Sequence, residues 1–282
     1  MTFSIVARSE DGQSWGVAVA SKFLAVGSAV PAARAGMGAI ATQAWANVAF
    51  KPRALSLLEG GATAEVTLAL LLEVDEGRDH RQVGIVDAYG NAASHTGQEC
   101  LDWAGGRTGD GVAVQGNILA GPQVVDAMYD AWQVSEGTLA RRLLAALRAG
   151  DAAGGDSRGR QSAAMYVVRA GAGYDGRDDV AVDLRVDDHE DPCAELERLL
   201  DLHQWYLSVP EEEDRIPLDD DLRTLLEKFA RDKGAASWDA WVGTENVEMR
   251  VGENWIDRQL LGMVRESGAS TPADVRSQEN AT

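Results

Sequence analysis

Side chains alternate in polarity at the start of the chain, and this feature constrains the fold more than any other. The segment FSIVAR, residues 3–8, alternates with a period of two, and an apolar run, WGVAVA, occupies residues 15–20. The residues between them, SEDG, have the composition of a turn. Two β-forming runs separated by an Asp/Gly turn predict a hairpin of two strands. Such a hairpin would fix Thr2 at the end of a strand.

Thr2 is the first candidate for chemistry. If Met1 is trimmed, as is common when the next residue is small, Thr2 becomes the first residue. Its hydroxyl could then serve as a nucleophile, with its own α-amine as the activating base. An α-amine has a pKa of about 7.7–8.0, so part of it is unprotonated near neutral pH. The alternative is that Thr2 is an ordinary second residue with a structural role.

Composition excludes several classes of partner. The chain has 282 residues, is 45% hydrophobic and carries a formal net charge of −19. An acidic chain is poorly suited to nucleic acid or to an anionic membrane surface, and we expect neither as a partner. Cys100 and Cys193 are far apart and form no CxxC motif, so we expect no metal and no cofactor. Without a secretory leader or an apolar span, a cytoplasmic location is expected.

Strand and helix signals alternate in pairs along the first 206 residues. Glycine-rich and β-branched pieces follow the hairpin, and Pro52 indicates the first turn of a helix. Thr63 and Thr138 are predicted N-caps, and Val66, Leu70 and Val74 form an apolar face on the helix after Thr63. The remaining predicted elements are strands at 82–87, 92–96, 111–115, 162–169 and 180–186, a helix through Met128 and Trp132, and a helix from Pro192 to about Tyr206. This order favours two packed sheets with helices outside, an α+β layered sandwich.

The composition changes near Pro210. We predict a first domain at 1–208, an acidic linker at 209–215, a small module at 216–267 and a disordered tail at 268–282. The module is expected to be mainly helical, beginning with an amphipathic helix. It contains Trp238, Trp241 and Trp255, which at this density usually form a core, with a ligand-binding platform as the alternative.

Several long stretches resemble one bacterial and archaeal family, known as domain of unknown function 1028. They are MTFSIVAR, GVAVASKFLAVGSAVPAARAGMGAIATQ, VQGNILAG and AGGDSRGRQSAAMYVVR, the last followed by DLRVDDHEDP. The resemblance covers roughly residues 1–205. The segment at about 212–266, with SWDAWVGTENVEMR and ENWID, resembles a small peptidoglycan-binding-like module often appended to that family.

The family is similar to the N-terminal-nucleophile hydrolases, the superfamily of proteasome β-subunits and penicillin acylases. This likeness implies a four-layer α/β/β/α sandwich. It also implies cleavage of amide bonds, without a metal, by a Thr, Ser or Cys at the mature N-terminus. In this sequence that position falls on Thr2.

Five further residues are candidates for the site around Thr2, with Arg34, Asn117 and Ser162 as catalytic residues and Lys22 and Gly116 as substrate-binding residues. A cation near the α-amine would lower its pKa, and Arg34 and Lys22 are candidates, with exposed surface bases as the alternative. Asn117 and the backbone N–H of Gly116 could stabilise an oxyanion, although Asn117 could equally be a turn or cap residue. Ser162 begins a predicted strand, where its hydroxyl could hydrogen-bond the amine.

Substrate contacts are predicted in two segments. The glycine-rich loop 154–162 carries Asp156, Arg158 and Gln161, and glycines let backbone approach a ligand closely. Its alternative is a mobile connection whose charges face water. Thr42 and Gln43 could line a pocket for a polar substrate, and Lys22 could contact the substrate as well.

A metal site is not expected in the acidic segment 183–191. Strand alternation places Asp187 and Asp188 on opposite faces, which indicates a solvated acidic edge. The function expected from the sequence is therefore an amidohydrolase acting on a small amide or peptide-like metabolite. The alternative is a non-catalytic binding or accessory protein whose C-terminal module docks a glycan or a protein partner. A homo-oligomer is left open.

Overall fold

A computed structural model describes residues 2–266. The chain divides into two compact units, Met1–Leu199 and Leu200–Thr282. The tail expected at 268–282 lies outside the described residues. Within the described part, no helix combines the length and apolar character needed to cross a membrane.

The N-terminal unit mixes α and β structure in the order that the sequence predicts, with one additional strand at Gly105–Gly109. In chain order its elements are β1 (Thr2–Arg8), β2 (Ser14–Ser21), α1 (Val26–Ala29), β3 (Pro31–Arg34), β4 (Gly38–Ala44), α2 (Phe50–Glu59), α3 (Ala64–Glu73), β5 (Arg81–Asp87), β6 (Ala92–Thr96), β7 (Gly105–Gly109), β8 (Val112–Asn117), α4 (Gln123–Val134), α5 (Leu139–Ala152), β9 (Ser162–Arg169), β10 (Val180–Val186) and the start of α6 (Pro192–Leu207).

The predicted hairpin is confirmed as β1 and β2, which lie in the middle of a six-stranded antiparallel sheet. The strand order is β10-β9-β2-β1-β8-β7. The register places Phe3 opposite Ala20 and Thr2 opposite Asn117. β1 and β2 are buried on both faces, because α5 contacts them on one side and strands of a second sheet contact them on the other.

The second sheet has four antiparallel strands in the order β3-β4-β5-β6. It faces the first sheet, with β4 against β1, β5 against β8 and β3 against β2. Helices α2 and α3 pack on this second sheet, whereas α4 and α5 pack on the first. Small and β-branched residues, among them Val17, Val19 and Ala41, fill the space between the sheets. Ile40, Phe50 and Leu58 form a core between the second sheet and its helices.

Two helix N-caps are confirmed, and one helix face points in an unexpected direction. The hydroxyls of Thr63 and Thr138 accept hydrogen bonds from backbone N–H groups in the first turns of α3 and α5. Val66 and Leu70 share a face of α3, as their spacing predicts, and Val74 is the cap residue just after its C-terminus. That face is exposed, since α3 buries its other apolar face against the sheet. Spacing identifies a shared face but not which of two apolar faces is covered.

The C-terminal unit is a small, mainly helical region built around tryptophan. It contains the end of α6, α7 (Asp220–Asp232), α8 (Trp238–Glu245) and α9 (Arg258–Arg265), with a three-stranded sheet of β11 (Arg215–Pro217), β12 (Val251–Gly252) and β13 (Trp255–Asp257). The rings of Trp238 and Trp241 stack with centroids 5.1 Å apart, and both side chains are buried. These two residues confirm the expected tryptophan core. Trp255 is half-buried, with the Arg215 guanidinium over its ring.

Candidate functional site

Thr2 lies at the end of the six-stranded sheet where the central strand β1 begins and its two neighbours, β2 and β8, end. It is only 6% exposed. Its Oγ1 lies 3.1 Å from Oγ of Ser21, the last residue of β2, and either hydroxyl can donate. On the other side, Thr2 pairs with Asn117, the last residue of β8. The hydroxyl of Thr2 is therefore held within a hydrogen-bonded, nearly dry environment.

The carbonyl group of Thr2 is held by two side-chain amides. Gln43 Nε2 donates to Thr2 O at 3.2 Å, reaching across from β4 of the second sheet. Asn117 Nδ2 approaches the same oxygen at 3.5 Å. Because one of these amides comes from each sheet, the backbone of Thr2 is fixed relative to both.

Both amides belong to a larger polar set, which we call the inter-sheet amide cluster and which comprises Ser4, Gln43, Gln82, Gln115 and Asn117. Every member is at most 2% exposed. Gln82 is its centre, because its Oε1 accepts from Gln43 Nε2 at 2.8 Å and from Asn117 Nδ2 at 2.9 Å. A buried amide is costly unless paired, so these bonds specify one register between the facing sheets.

Two further contacts extend the cluster away from Thr2. Ser4 Oγ donates to Gln43 Oε1 at 2.7 Å, and Gln115 Nε2 lies 2.7 Å from Ser4 Oγ. Gly84 makes room for this arrangement, since a Cβ on Gly84 would lie 2.1 Å from Gln115 Oε1. Ser4, Gln82 and Gln115 were not predicted from the sequence as site residues. The available signal was a polar side chain at an inward position of an otherwise apolar strand.

The structure brings the glycine-rich loop 154–162 to the same edge as Thr2. Asp156 Oδ2 accepts a hydrogen bond from the backbone N–H of Lys22 at 2.6 Å, directly after β2 ends. Asp156 also forms an isolated β-bridge with Leu119, just after β8. Arg158 N donates to Asp156 Oδ1 at 2.9 Å, which closes the loop on itself. Asp156 is 7% exposed, so it anchors the loop rather than facing water.

Ser162 organises the segment that follows β2. It pairs across the sheet with Ser21, which also contacts Thr2. Its Oγ accepts from Val26 N at 3.1 Å and donates to the carbonyl of Phe23. Ser162 therefore holds the turn between β2 and α1 beside the candidate site.

Two long polar side chains near this edge bond to the protein itself. Lys22 Nζ donates to the carbonyl of Arg160 at 3.1 Å. Gln161 Nε2 donates to Asp188 Oδ1 at 3.0 Å, and its side chain is half-buried. Lys22 connects the end of β2 to the glycine-rich loop, whereas Gln161 connects that loop to the segment after β10.

Arg34 is not brought together with Thr2. It pairs with Gly38 at the far end of β4, and its guanidinium forms an exposed ion pair with Glu59. Gln43, which contacts Thr2, is five residues along β4 from Gly38, and a strand rises about 3.3 Å per residue. Roughly 17 Å of strand therefore separates the two ends.

Thr42 and Gly116 have contacts inside the protein. Thr42 is fully buried, and its Oγ1 donates to the carbonyl of Asn47 at 3.4 Å. Gly116 accepts from Gln82 Nε2 through its carbonyl at 2.7 Å. Gly116 also cannot carry a side chain without displacing Leu119, because a Cβ would lie 2.5 Å from Leu119 Cδ1.

Residues 2–266 contain no preformed metal-binding site. Across that part of the chain, no three His, Cys, Asp or Glu side chains are grouped to hold a metal ion. In the acidic segment, Asp183 is paired with Arg185. Burial raises the pKa of the Cys193 thiol far above its ordinary value, so Cys193 is protonated and a poor ligand or nucleophile.

Comparison with known proteins identifies the family. A solved structure, protein SPO2555 from Silicibacter pomeroyi, is 33% identical, with a TM-score of 0.66, over 76% of this chain and 96% of that chain. Anbu (ancestral beta-subunit) from Yersinia bercovieri is 11% identical over 74% of this chain and 98% of that chain, with a TM-score of 0.31, which is too low to support an argument. The search of curated proteins gave no significant match. The model of the family of unknown function DUF1028 matches residues 2–196, and this chain belongs to that family.

Proposed function

We propose that this protein is an amidohydrolase of the N-terminal-nucleophile type, acting on a small amide or peptide-like metabolite. The observation that carries the proposal is the placement of the Thr2 hydroxyl. It sits at the buried end of a central strand, 3.1 Å from Ser21 Oγ, while two amides hold the adjacent carbonyl. The proposal requires cleavage of the peptide bond before Thr2, which frees its α-amine.

The proposed reaction needs only groups at this edge. The unprotonated α-amine of Thr2 accepts the proton of its own hydroxyl as Oγ1 attacks the substrate carbonyl. Collapse of the tetrahedral intermediate breaks the C–N bond, and the leaving amine takes the proton. Water then hydrolyses the Thr2 ester and restores the free hydroxyl. Ser21 supports proton movement, because its hydroxyl can donate to or accept from Thr2 Oγ1.

The surrounding residues have supporting roles in this proposal. Lys22, directly after Ser21, is the cation that lowers the pKa of the α-amine, since a nearby positive charge disfavours the protonated form. Asn117 and Gln43 position Thr2 through its carbonyl. Loop 154–162, anchored by Asp156, forms one wall of the substrate site.

The proposed fold is the four-layer α/β/β/α sandwich of N-terminal-nucleophile hydrolases. Supporting it, the two sheets face each other through β1 and β4, with α4 and α5 against one and α2 and α3 against the other. In such an arrangement the polar groups between the sheets are shielded from water, which strengthens hydrogen bonds around Thr2.

Two measurements test the proposal. Intact-mass analysis of the purified protein should find Thr2 as the first residue. An untargeted metabolite screen should then find amides consumed by the wild type and by Thr2→Ser, which keeps a hydroxyl, but not by Thr2→Ala. Thr67→Ala is the matched control, because Thr67 is equally buried on α3 and should leave turnover unchanged.

Retention of Met1, or full turnover by Thr2→Ala, overturns the proposal. If Thr2→Ala is silent and metabolite binding depends on residues beyond Pro210, the accessory-protein alternative replaces it.

A further inference from the structure

A cleft opens where the six-stranded sheet extends beyond the edge of the four-stranded sheet. Strand β3 is the outer strand of the smaller sheet, and it packs against β2 and β9. Strand β10 lies one position further out. A cavity of about 330 Å³ fills this corner, and α1, α2, β3, β9 and β10 line it. This volume suits a small metabolite.

One wall of the cleft carries charge. Asp183 lies opposite Tyr166, and Arg185 lies opposite Ala164, in the register of β10 with β9. Cross-strand partners share a face of a sheet, so these four side chains point the same way. Ala164 belongs to the core between the sheets, which shows that this is the inward face. Beyond β3 that face is left open to the cleft.

Lys51, in the first turn of α2, faces this wall. Its side chain is half-buried, and Nζ donates to the carbonyl of Ser28 at 3.0 Å. Among the described residues, no carboxylate forms an ion pair with Lys51. Burial and, to a smaller extent, the charge of Arg185 lower the pKa of Lys51. A half-desolvated ammonium beside a second cation favours binding of an anion.

The charges in the cleft leave one positive charge in excess. Arg185 Nε and Nη2 donate to the two carboxylate oxygens of Asp183 at 3.0 and 3.2 Å, which neutralises that pair. Asp183 is the one carboxylate among the described residues that line the cleft. Lys51 is therefore uncompensated, in a chain whose overall charge is −19.

The rest of the lining is apolar or weakly polar. Pro31, Leu55 and Ala164 contribute hydrocarbon surface. Gly27 allows this close packing, since a Cβ there would lie 2.5 Å from Ala164 Cβ and 3.2 Å from Arg185 Cγ. The aliphatic part of the Arg185 side chain is thus held in place against α1.

We propose that this cleft is a binding site for a small aliphatic monocarboxylate, with the carboxylate on Lys51 and the hydrocarbon part against Pro31 and Leu55. A monoanion matches the single excess charge, whereas the second charge of a phosphate dianion would be left without a partner. The site does not depend on the role of Thr2, because β9 and β10 are two and three strands away from β1.

The test uses the full chain with ¹³C-labelled lysine. The sequence contains four lysines, Lys22, Lys51, Lys228 and Lys233, so their Cε signals can be assigned by substitution. Sodium butyrate is titrated at constant ionic strength. We expect the Lys51 signal alone to shift and to saturate in the low millimolar range, with butylamine causing no shift and inorganic phosphate binding at least tenfold more weakly.

Variants separate this site from general charge effects. Lys51→Met and Arg185→Met should each weaken butyrate binding by tenfold or more, as measured by calorimetry on protein with an unchanged melting temperature. Lys228→Met is the control, because Lys228 is an exposed lysine on α7 and should not alter binding. A shift that never saturates, an equal response of all four lysines, or wild-type affinity in Lys51→Met overturns the proposal.

Discussion

Replacing Gln82 with methionine should destabilise the N-terminal unit more than any single hydrogen bond would suggest. Gln82 is fully buried between the sheets, and its amide bonds to both of them. Methionine has nearly the same length and volume, so the change removes polar contacts without opening a cavity. The loss of stability therefore measures the contribution of the hydrogen bonds in the inter-sheet amide cluster.

The magnitude follows from which groups lose their partners. Without Gln82, Asn117 Nδ2 keeps only the 3.5 Å contact to Thr2 O among its hydrogen bonds in the described cluster. The carbonyl of Gly116 loses a 2.7 Å donor, and Thr96 Oγ1 loses a 2.9 Å donor. Each buried polar group left unpaired costs about 1–3 kcal/mol. With Asn117 Nδ2 and the Gly116 carbonyl affected strongly, we expect the free energy of unfolding to fall by about 2–6 kcal/mol.

Native-state hydrogen exchange of the β1 and β5 amides is the appropriate assay. The chain has two compact units, so a single fluorescence transition would mix their unfolding. Exchange of these amides reports on the N-terminal unit itself. Gln13→Met is the matched control, because Gln13 is exposed and its loss should change the unfolding free energy by less than about 0.5 kcal/mol.

A double-mutant cycle with Asn117→Leu tests the reasoning directly. Removing both partners leaves fewer orphaned groups than the two single changes added together, so the double variant should be less destabilised than the sum by at least about 1 kcal/mol. Additivity within about 0.5 kcal/mol, or a loss below 1 kcal/mol for Gln82→Met alone, would refute the view that this cluster fixes the sheets around Thr2.

Three further outcomes are expected. Gly84→Ala should destabilise the protein by about 1–3 kcal/mol in urea unfolding, because its Cβ would lie 2.1 Å from Gln115 Oε1; no change would mean that Gln115 moves freely. A hydrogen bond from Arg81 holds the pKa of Asp75 below its ordinary value, so its stabilising effect is present above that value and lost as pH falls through the lowered one. Asp75→Asn should therefore be less stable than wild type at pH 6, with the difference shrinking below about pH 4. Cys193 should resist thiol reagents at pH 8 until the protein unfolds, because its thiol is buried and has a raised pKa. Rapid labelling of Cys193 in the native protein would contradict this.

Local patterns were sufficient for most of the secondary structure. Alternation and a turn predicted β1 and β2, and two threonine caps located the starts of α3 and α5. These features depend on neighbours within a few residues, which is why the sequence reveals them. Strand β7, Gly105–Gly109, was missed because its glycine-rich sequence has little strand preference and forms a strand by pairing with β8.

For the candidate site, the sequence identified single residues but not their neighbours. Thr2, Asn117 and the loop at Asp156 were predicted individually, and folding places them at one edge of the sheet. Arg34 was predicted for the same site and lies at the far end of β4, paired with Glu59. A residue that is close in sequence to the end of a strand can lie at either end of the sheet, and the sequence does not show which.

The sequence by itself determined most of the elements, their order and the acidic charge, since each is a property of short segments or of composition. Only the tertiary structure decided that Gln43 contacts Thr2, and that Lys51 and Arg185 line the same cleft. Both arrangements arise because the two sheets pack face to face. This packing brings together residues that are 41 and 134 positions apart in the sequence. Such contacts are set by the packing of the whole unit, and no local pattern encodes them.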